Sequence, residues 1–298
     1  MAERSNTQVF VAILIAVVIG AVMLWAGSDG GDRVASLPVF ALCGALAFAI
    51  NWLAFIPSAL AQSERYYDLV GGVTYVTIII VAVLMSGDLD LRATLVASMV
   101  LIWSLRLATF LFMRISSAGT DSRFDDIKNR PPRFFMAWTL QGLWALLTAA
   151  AALAVVTGGV REPLGAVGIV GIGIWAIGMT IEIIADRQKS KFKADPDNEG
   201  KFIDVGLWAW SRHPNYFGEI LLWTGIAIVA VPILQGWQWA TLISPFFVAF
   251  LLIKVSGVPM LEDKADERWG GQSDYEDYKR KTPVLVLKPP AMQSQSQG

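Results

Sequence analysis

Cysteine, histidine and charged side chains are scarce in this sequence, and their scarcity excludes several classes of protein. The chain has one cysteine, one histidine and 16% charged residues, whereas a soluble domain carries about 25% charged residues. Cys43 has no second cysteine with which to form an internal disulfide, and one Cys with one His is too few for a zinc or iron–sulfur centre. We therefore expect no metal. A net charge of −1 gives no electrostatic basis for binding nucleic acid.

The sequence consists largely of long apolar runs. Hydrophobic residues make up 55% of the 298 residues, and the mean hydropathy is +0.52. Runs of about 17 to 25 apolar residues recur along the chain, which is the length of a membrane-spanning helix, and they lack the alternation of a barrel strand. We predict an all-α, polytopic transmembrane helical bundle of about seven or eight spans. The candidate spans are residues 9–25, 38–60, 69–85, 93–112, 134–156, 164–185, 216–231 and 241–258.

Basic residues concentrate in the loops after spans four and six and in the tail after span eight. The positive-inside rule then places both termini in the cytoplasm, which is consistent with eight spans, and for a bacterial protein the membrane would be the inner membrane. The polar residues gather on the same side, so we expect a cofactor and substrate cavity open to the cytoplasm. The last residues, 289–298, are a Gln/Ser-rich tail that we expect to be disordered.

Two polar positions near the third and fourth spans need an explanation. Arg106 lies inside span four, where it either extends to the headgroups or clamps an anion or carbonyl in a polar cavity. Asp68, preceded by Tyr67, opens span three. It is either a helix cap stabilised by the macrodipole, or an acid that donates a hydrogen bond to a substrate carbonyl.

A second polar group closes span six. Glu182 and Asp186 are one turn apart on one helical face, and a basic run follows at residues 187–193. Such a run is commonly a topology signal or a lipid contact. Together with Arg212 it has the alternative role of binding a phosphorylated cofactor, because phosphates need several cations.

The most informative motif is Ser-Arg-His-Pro-Asn-Tyr-Phe-Gly-Glu at residues 211–219. Pro214 suits the first turn of a helix. Asn215 and Glu219 then lie one turn apart on one face, and the glycine between them leaves room for a close approach. His213 alone is compatible with a capping role or a surface position, but the polar groups together indicate a site for a polar ligand.

This motif, followed by an apolar helix, resembles the C-terminal part of the steroid 5α-reductase family, and the chain is most similar to the family's bacterial branch. Further matching motifs are Tyr-Tyr-Asp-Leu at 66–69, Trp-Ser-Leu-Arg at 103–106, Leu-Gln-Gly-Leu-Trp at 140–144 and Asp-Tyr-Glu-Asp-Tyr-Lys at 274–279. An Arg-His-Pro-x-Tyr-x-Gly segment also occurs in membrane isoprenylcysteine and phospholipid methyltransferases, which use S-adenosylmethionine. The order and spacing of the full set favour the reductases. The resemblance implies a catalytic transmembrane domain at residues 61–288, preceded by N-terminal transmembrane helices (1–60) that lie outside it or match only loosely.

The resemblance implies an NADPH-dependent enzyme that saturates a lipophilic enone such as a 3-oxo-Δ4-steroid. Hydride passes to the β-carbon, while an acid at the ketone stabilises the developing enolate. In the family a glutamate and a tyrosine polarise the ketone. Asp68 takes the glutamate's place, but Trp103 lies near the tyrosine position and is a poor acid. Tyr67 or Asp68 itself is therefore expected to donate the proton.

The resemblance also implies where the cofactor binds. Asn215 and Glu219 would fix the nicotinamide end, and the other residues would surround the sugars and phosphates. The expected cofactor-binding residues are Arg106, Arg123, Glu182, Asp186, Lys193, Arg212, His213, Asn215, Tyr216, Glu219, Tyr275 and Tyr278. No Gly-x-Gly-x-x-Gly loop follows a strand, so the nucleotide would lie in a helical bundle rather than on a Rossmann fold.

Two alternatives from other classes remain. The first is a membrane methyltransferase that uses S-adenosylmethionine, a sulfonium cation that needs fewer basic residues than NADPH does. The second is a transporter or lipid-binding scaffold, which would need polar residues at both mouths of the membrane. The expected partners are an enone substrate and membrane lipid, with no nucleic acid and no obligate protein partner.

Overall fold

A computed structural model of the chain describes residues 5–118 and 124–290, and its regular secondary structure is almost entirely helical. Two short strands, β1 (Arg33–Val34) and β2 (Leu37–Pro38), pair as an antiparallel hairpin. The helices are α1 (Asn6–Gly27), α2 (Val39–Leu60), α3 (Tyr67–Met85), α4 (Leu91–Ala118), α5 (Pro131–Thr157), α6 (Ala166–Ala194), α7 (Pro214–Ala230), α8 (Ile243–Phe250), α9 (Val258–Trp269) and α10 (Ser273–Lys281).

Eight segments of the described chain are long and apolar enough to cross a membrane. The prediction of an all-α, polytopic membrane protein is therefore confirmed. The last segment, Gly236–Trp269, is not one regular helix. A 3-10 helix at Gly236–Leu242 precedes α8, and a π-helical turn at Leu251–Val255 separates α8 from α9. Such wide turns are frequent near functional sites.

The chain divides into two compact units, of which the first contains Met1–Val170 and Ile226–Ser244. Its centre is α5, in which every residue from 145 to 157 is buried. A helix that is apolar on all sides must be covered on all sides. The helices α1 to α4 provide that cover, and the small side chains of the alanine run 149–152 allow them to approach closely.

The second unit contains Gly171–Gly225 and Pro245–Gly298. In it α6 and α7 pack backbone against backbone. A Cβ on Gly218 would lie 2.6 Å from the carbonyl oxygen of Gly178 and 2.8 Å from the amide nitrogen of Glu182. Because real Cβ atoms do not approach so closely, glycine is required there, and the close approach expected at this position is made by a neighbouring helix.

Candidate functional site

Polar side chains line facing parts of α6 and α7 in the second unit. The amide of Asn215 donates a hydrogen bond of 3.4 Å to the carboxylate of Asp186. Glu182 lies one turn before Asp186, and both carboxylates are buried, with 3% and 9% of the residue surface exposed. Glu219, one turn after Asn215, is partly buried. The glycine contact between the helices brings the two predicted pairs together.

Glu262 on α9 joins the two residues that precede α7. One carboxylate oxygen lies 2.5 Å from Nη1 of Arg212, and the other lies 2.8 Å from Nε2 of His213. The His213 ring also stacks on Tyr216, with centroids 5.5 Å apart and planes 9° apart. Two contacts, one from α9 and one from α7, therefore fix the imidazole in place.

His213 is buried, and burial is the main reason why its pKa falls below the ordinary value. The neighbouring charges of Lys189 and Arg212 lower the pKa further, while the hydrogen bond with Glu262 opposes the shift without reversing it. A neutral imidazole donates from Nε2 to the Glu262 carboxylate, which makes Nδ1 an acceptor. Nδ1 has no hydrogen-bond partner among the described residues. A buried acceptor of this kind is suited to a ligand hydroxyl or amide donor.

These residues border a cavity of about 380 Å³ in the second unit, here named the basic cavity. Its volume falls within the range of small-molecule sites. Glu262 is the one carboxylate among its described lining residues. The cationic lining residues are Lys189, Lys193, Lys201, Arg212, Lys264 and Arg268. Such an excess of positive charge favours an anionic ligand.

Aromatic rings form much of the rest of the wall. Phe202 packs against Tyr275 and Tyr278, with 5.3 Å between centroids in each pair, and against Trp269 at 6.0 Å. The ammonium of Lys189 lies 4.5 Å from the ring centre of Trp208. Cations beside aromatic faces fit a ligand that carries both phosphate and a planar ring.

The C-terminal segment is bonded to the loop that precedes α7. The hydroxyl of Tyr278 donates to the carbonyl of Trp208 at 2.7 Å, and the indole of Trp269 donates to the carbonyl of Gly200 at 2.6 Å. Further along, the Ser211 hydroxyl donates to the carbonyl of Leu285. Burial raises the pKa of Tyr278, so its hydroxyl stays protonated as a donor. The C-terminal segment from Trp269 to Tyr278 is thus held in place as a wall of the basic cavity.

The predicted proton donors belong to the first unit. Asp68 lies in the first turn of α3, partly exposed. The hydroxyl of its neighbour Tyr67 donates to the carbonyl of Ala137 at 3.0 Å, and the Tyr67 ring packs against Phe124 and Trp138. The phenol proton of Tyr67 is therefore engaged with the backbone.

Three further positions named in the sequence analysis lie on α4 or follow it in the chain. Trp103 is buried and meets the ring of Tyr75 edge-on at 5.1 Å, and Arg106, one turn later, is partly exposed. Arg123 lies outside the described residues.

Five predicted residues line the basic cavity: Lys193, Arg212, His213, Tyr275 and Tyr278. Five others, Glu182, Asp186, Asn215, Tyr216 and Glu219, lie on α6 and α7 of the same unit. Their roles in binding stay predictions. The predicted set does not include Glu262, Phe202 or Trp208. Glu262 and Asp266 are one helical turn apart on one face, a spacing that could have indicated Glu262. No local sequence pattern indicates Phe202 or Trp208.

Comparison with known proteins adds three relatives. A probable O-methyltransferase of Ustilaginoidea virens is 31% identical over 100 residues, which are 33% of this chain and 34% of that protein. The 3-oxo-5-alpha-steroid 4-dehydrogenase 1 of Bos taurus is 33% identical over 72 residues, which are 24% of this chain and 28% of the relative. That of Macaca fascicularis is 29% identical over 118 residues, 40% of either chain. These matches span two fifths or less of the relatives' length.

No solved structure matches the chain. The protein family described as "Protein of unknown function (DUF1295)" matches residues 54–282, which is most of the chain. The relatives confirm the resemblance to steroid 5α-reductases that the motifs indicated. The chain is an integral membrane protein with reductase-like and methyltransferase-like relatives, and it belongs to the DUF1295 family.

Proposed function

We propose that this protein is a membrane-embedded, NADPH-dependent reductase that saturates the C=C bond of a lipophilic enone such as a 3-oxo-Δ4-steroid. The observation that carries the proposal is the basic cavity, in which six cations and one carboxylate surround an aromatic wall beside the Arg-His-Pro motif. NADPH carries three phosphate groups, and each one needs cationic partners. The names of the mammalian relatives support the same reaction class.

The residues present fit this cofactor. Lys193, Lys201 and Arg268 are charge partners for phosphates, and the faces of Trp208 and Phe202 suit a planar base. The buried Nδ1 of His213 is suited to accept from a ribose hydroxyl, because it has no partner among the described residues. An acceptor left unsatisfied inside a protein is costly, so a ligand that donates to it gains affinity.

Asn215 would bind the nicotinamide end, because Asp186 holds its amide in place and leaves its carbonyl oxygen for the carboxamide. When bound, NADPH supplies the hydride that reaches the β-carbon of the enone. Asp68 would act as the acid at the ketone and stabilise the oxygen as negative charge develops there, and the enolate would then take a proton at its α-carbon to complete the saturation. Tyr67 would have to release the carbonyl of Ala137 to do the same, so Asp68 is the preferred acid.

A membrane methyltransferase is the second candidate, and the match to the Ustilaginoidea virens protein favours it. S-adenosylmethionine carries a sulfonium, an ammonium and one carboxylate. A site for it therefore needs acceptors and carboxylates more than it needs six cations. The charge of the basic cavity is the reason for preferring the reductase.

One experiment separates the two candidates. The purified protein is denatured, and the released small molecules are identified by mass spectrometry. In parallel, NADPH and S-adenosylmethionine are titrated into protein freed of ligand. We expect NADPH to be recovered and to bind, and we expect NADPH to be oxidised when a 3-oxo-Δ4-steroid is added. Recovery and binding of S-adenosylmethionine instead would exclude the reductase.

The acid is tested by Asp68→Asn, with Asp88→Asn as the matched control. Asp88 is an exposed carboxylate in the loop after α3. We expect the first variant to lose roughly 10²- to 10³-fold in kcat, as enzymes do when a donor to the developing oxyanion is removed. NADPH binding should be unchanged in both variants. Full activity in Asp68→Asn would exclude this residue as the acid.

A further inference from the structure

A second cavity, of about 290 Å³, lies in the first unit among the ends of three membrane-spanning segments. Its lining includes Trp25, Asp29, Arg33 and Trp237, and we name it the tryptophan cavity. The first span ends at Gly27, the second begins at Val39 and the last begins at Gly236. Residues at the ends of apolar spans lie at the depth of the lipid headgroups. An occupant of this cavity therefore meets the membrane surface.

Two tryptophans form one side of the tryptophan cavity. Trp25 and Trp237 are 60% and 61% exposed, and their ring centroids are 5.2 Å apart at an interplanar angle of 45°. Tryptophan is common at membrane interfaces, which explains the exposure of each ring. It does not explain why two rings from segments far apart in sequence meet at a concave site. Paired indole faces attract a cation.

A carboxylate is held beside these rings. The backbone N–H of Trp237 donates to Asp29 at 2.9 Å, and this is the single hydrogen bond that the described residues make to that carboxylate. Gly236 has a φ of +48°, and a Cβ there would collide with the Asp29 carboxylate. Only glycine permits both the backbone conformation and the close approach. The negative charge is thus positioned by the fold next to the aromatic pair.

Arg33 supplies a positive charge to the same cavity. One of its N–H groups donates to the carbonyl of Ser36 at 2.9 Å, and the planar guanidinium has further donors suited to phosphate. Asp29 and Arg33 are close in sequence, yet no ion pair joins them in the described structure. The cavity therefore presents separated negative and positive groups to a ligand.

We propose that the tryptophan cavity binds the headgroup of a zwitterionic phospholipid of the phosphoethanolamine type. The ammonium group lies against Trp25, Trp237 and Asp29, and the phosphate pairs with Arg33. Charge complementarity selects this ligand over phosphatidylglycerol, an anionic lipid whose headgroup has no cation for Asp29, and the position at the span ends is that of a lipid headgroup. The site does not depend on the proposed reductase activity.

The test uses the full-length protein, purified in detergent and freed of lipid, with native mass spectrometry as the measurement. Phosphatidylethanolamine and phosphatidylglycerol with the same acyl chains are titrated separately. We expect one phosphatidylethanolamine to bind roughly ten-fold more tightly than phosphatidylglycerol, which is the scale of a partly desolvated cation–π contact. Asp29→Asn should reduce this preference, because asparagine keeps the bond from Trp237 but removes the charge that attracts the ammonium group. Arg33→Gln should weaken the binding of both lipids.

Trp237→Leu and Trp239→Leu form the matched pair of variants. Trp239 belongs to the same 3-10 helix and is 50% exposed, but it does not line the cavity. Only Trp237→Leu should weaken the binding of phosphatidylethanolamine, and the melting temperatures of all variants are measured to confirm folding. Equal binding of the two lipids by the unmodified protein, or equal losses in both tryptophan variants, would overturn the proposal. Binding of soluble phosphoethanolamine as tight as that of the lipid would also overturn it, because the ligand would then be a soluble metabolite.

Discussion

The six cations of the basic cavity differ in their ion-pair partners and in their exposure to solvent. Arg212 is paired with Glu262, whereas Lys193 is an exposed residue near the end of α6. We predict that Lys193→Gln raises the KM for NADPH roughly three- to ten-fold, because one charge-assisted phosphate contact contributes about 1 kcal/mol at an exposed position. The measurement is steady-state kinetics with NADPH as the varied substrate.

The control for this variant is Lys191→Gln. Lys191 is exposed on the same helix and two residues away, but it does not line the basic cavity. Lys191→Gln changes the net charge by the same amount as Lys193→Gln does, so it removes the same long-range attraction for NADPH. If both variants raise the KM equally, the effect of Lys193 is that of net charge, and it is not a direct phosphate partner.

His213 makes the stability of the second unit depend on pH. Burial lowers its pKa below the ordinary 6.5, and the charged groups that face it are Glu262, Lys189 and Arg212. At pH values between the pKa of His213 in the folded state and 6.5, the unfolded chain binds more protons than the folded chain does. This contribution to stability is therefore fully present above pH 6.5 and is lost as the pH falls toward the folded pKa.

We predict that the melting temperature falls between about pH 7 and pH 5, and that His213→Gln reduces this fall. Glutamine can still donate to Glu262, so the comparison isolates the titration of the ring. Thermal unfolding at several pH values measures the slope. An unchanged slope in the variant would assign the pH dependence to other groups.

At the scale of elements, the contact between α6 and α7 positions the polar pairs. Gly218→Ala would place a methyl group 2.6 Å from the carbonyl oxygen of Gly178. We predict that the helices separate, that stability falls by about 1–3 kcal/mol, and that the KM for NADPH rises as Asn215 moves from Asp186. Gly173→Ala is the matched control, because nothing lies within 4 Å of a Cβ there. Equal melting temperatures for the two variants would contradict the packing argument.

The helical spans could be predicted from the sequence because each one is an apolar run whose length matches the membrane. The break in the last span could not. The π-helical turn at Leu251–Val255 contains no glycine or proline, so the sequence there predicts a regular helix. The start of α7 was predictable, because Pro214 fixes it locally.

The candidate site was predictable only where its residues follow one another in sequence. Asn215 and Glu219 share a helical face, so spacing alone pairs them. The bond between His213 and Glu262 joins residues 49 positions apart, and the hydroxyl of Tyr278 meets a carbonyl 70 positions away. Contacts at such separations are set by the tertiary fold, and Trp208 carries no local sign that its carbonyl is the acceptor.

For the whole molecule, the distribution of basic residues predicts how the chain crosses the membrane. The loops that are rich in lysine and arginine should lie in the cytoplasm, together with both termini. Cysteine labelling tests this with little background, because Cys43 is fully buried. Asp88→Cys places a thiol in the exposed loop after α3, Glu199→Cys places one after α6, and Ser273→Cys places one at the exposed start of α10.

In intact cells a membrane-impermeant maleimide should label Asp88→Cys, and it should label the other two variants only after lysis. The physical reason is that the cytoplasmic loops carry the lysines and arginines that resist translocation. The result also decides where the cofactor comes from. NADPH is made in the cytoplasm, and the basic cavity is lined by the loop before α7 and by residues of α9 and α10. Labelling of Ser273→Cys in intact cells would place the cavity outside the cytoplasm and would contradict both the topology and the proposed cofactor.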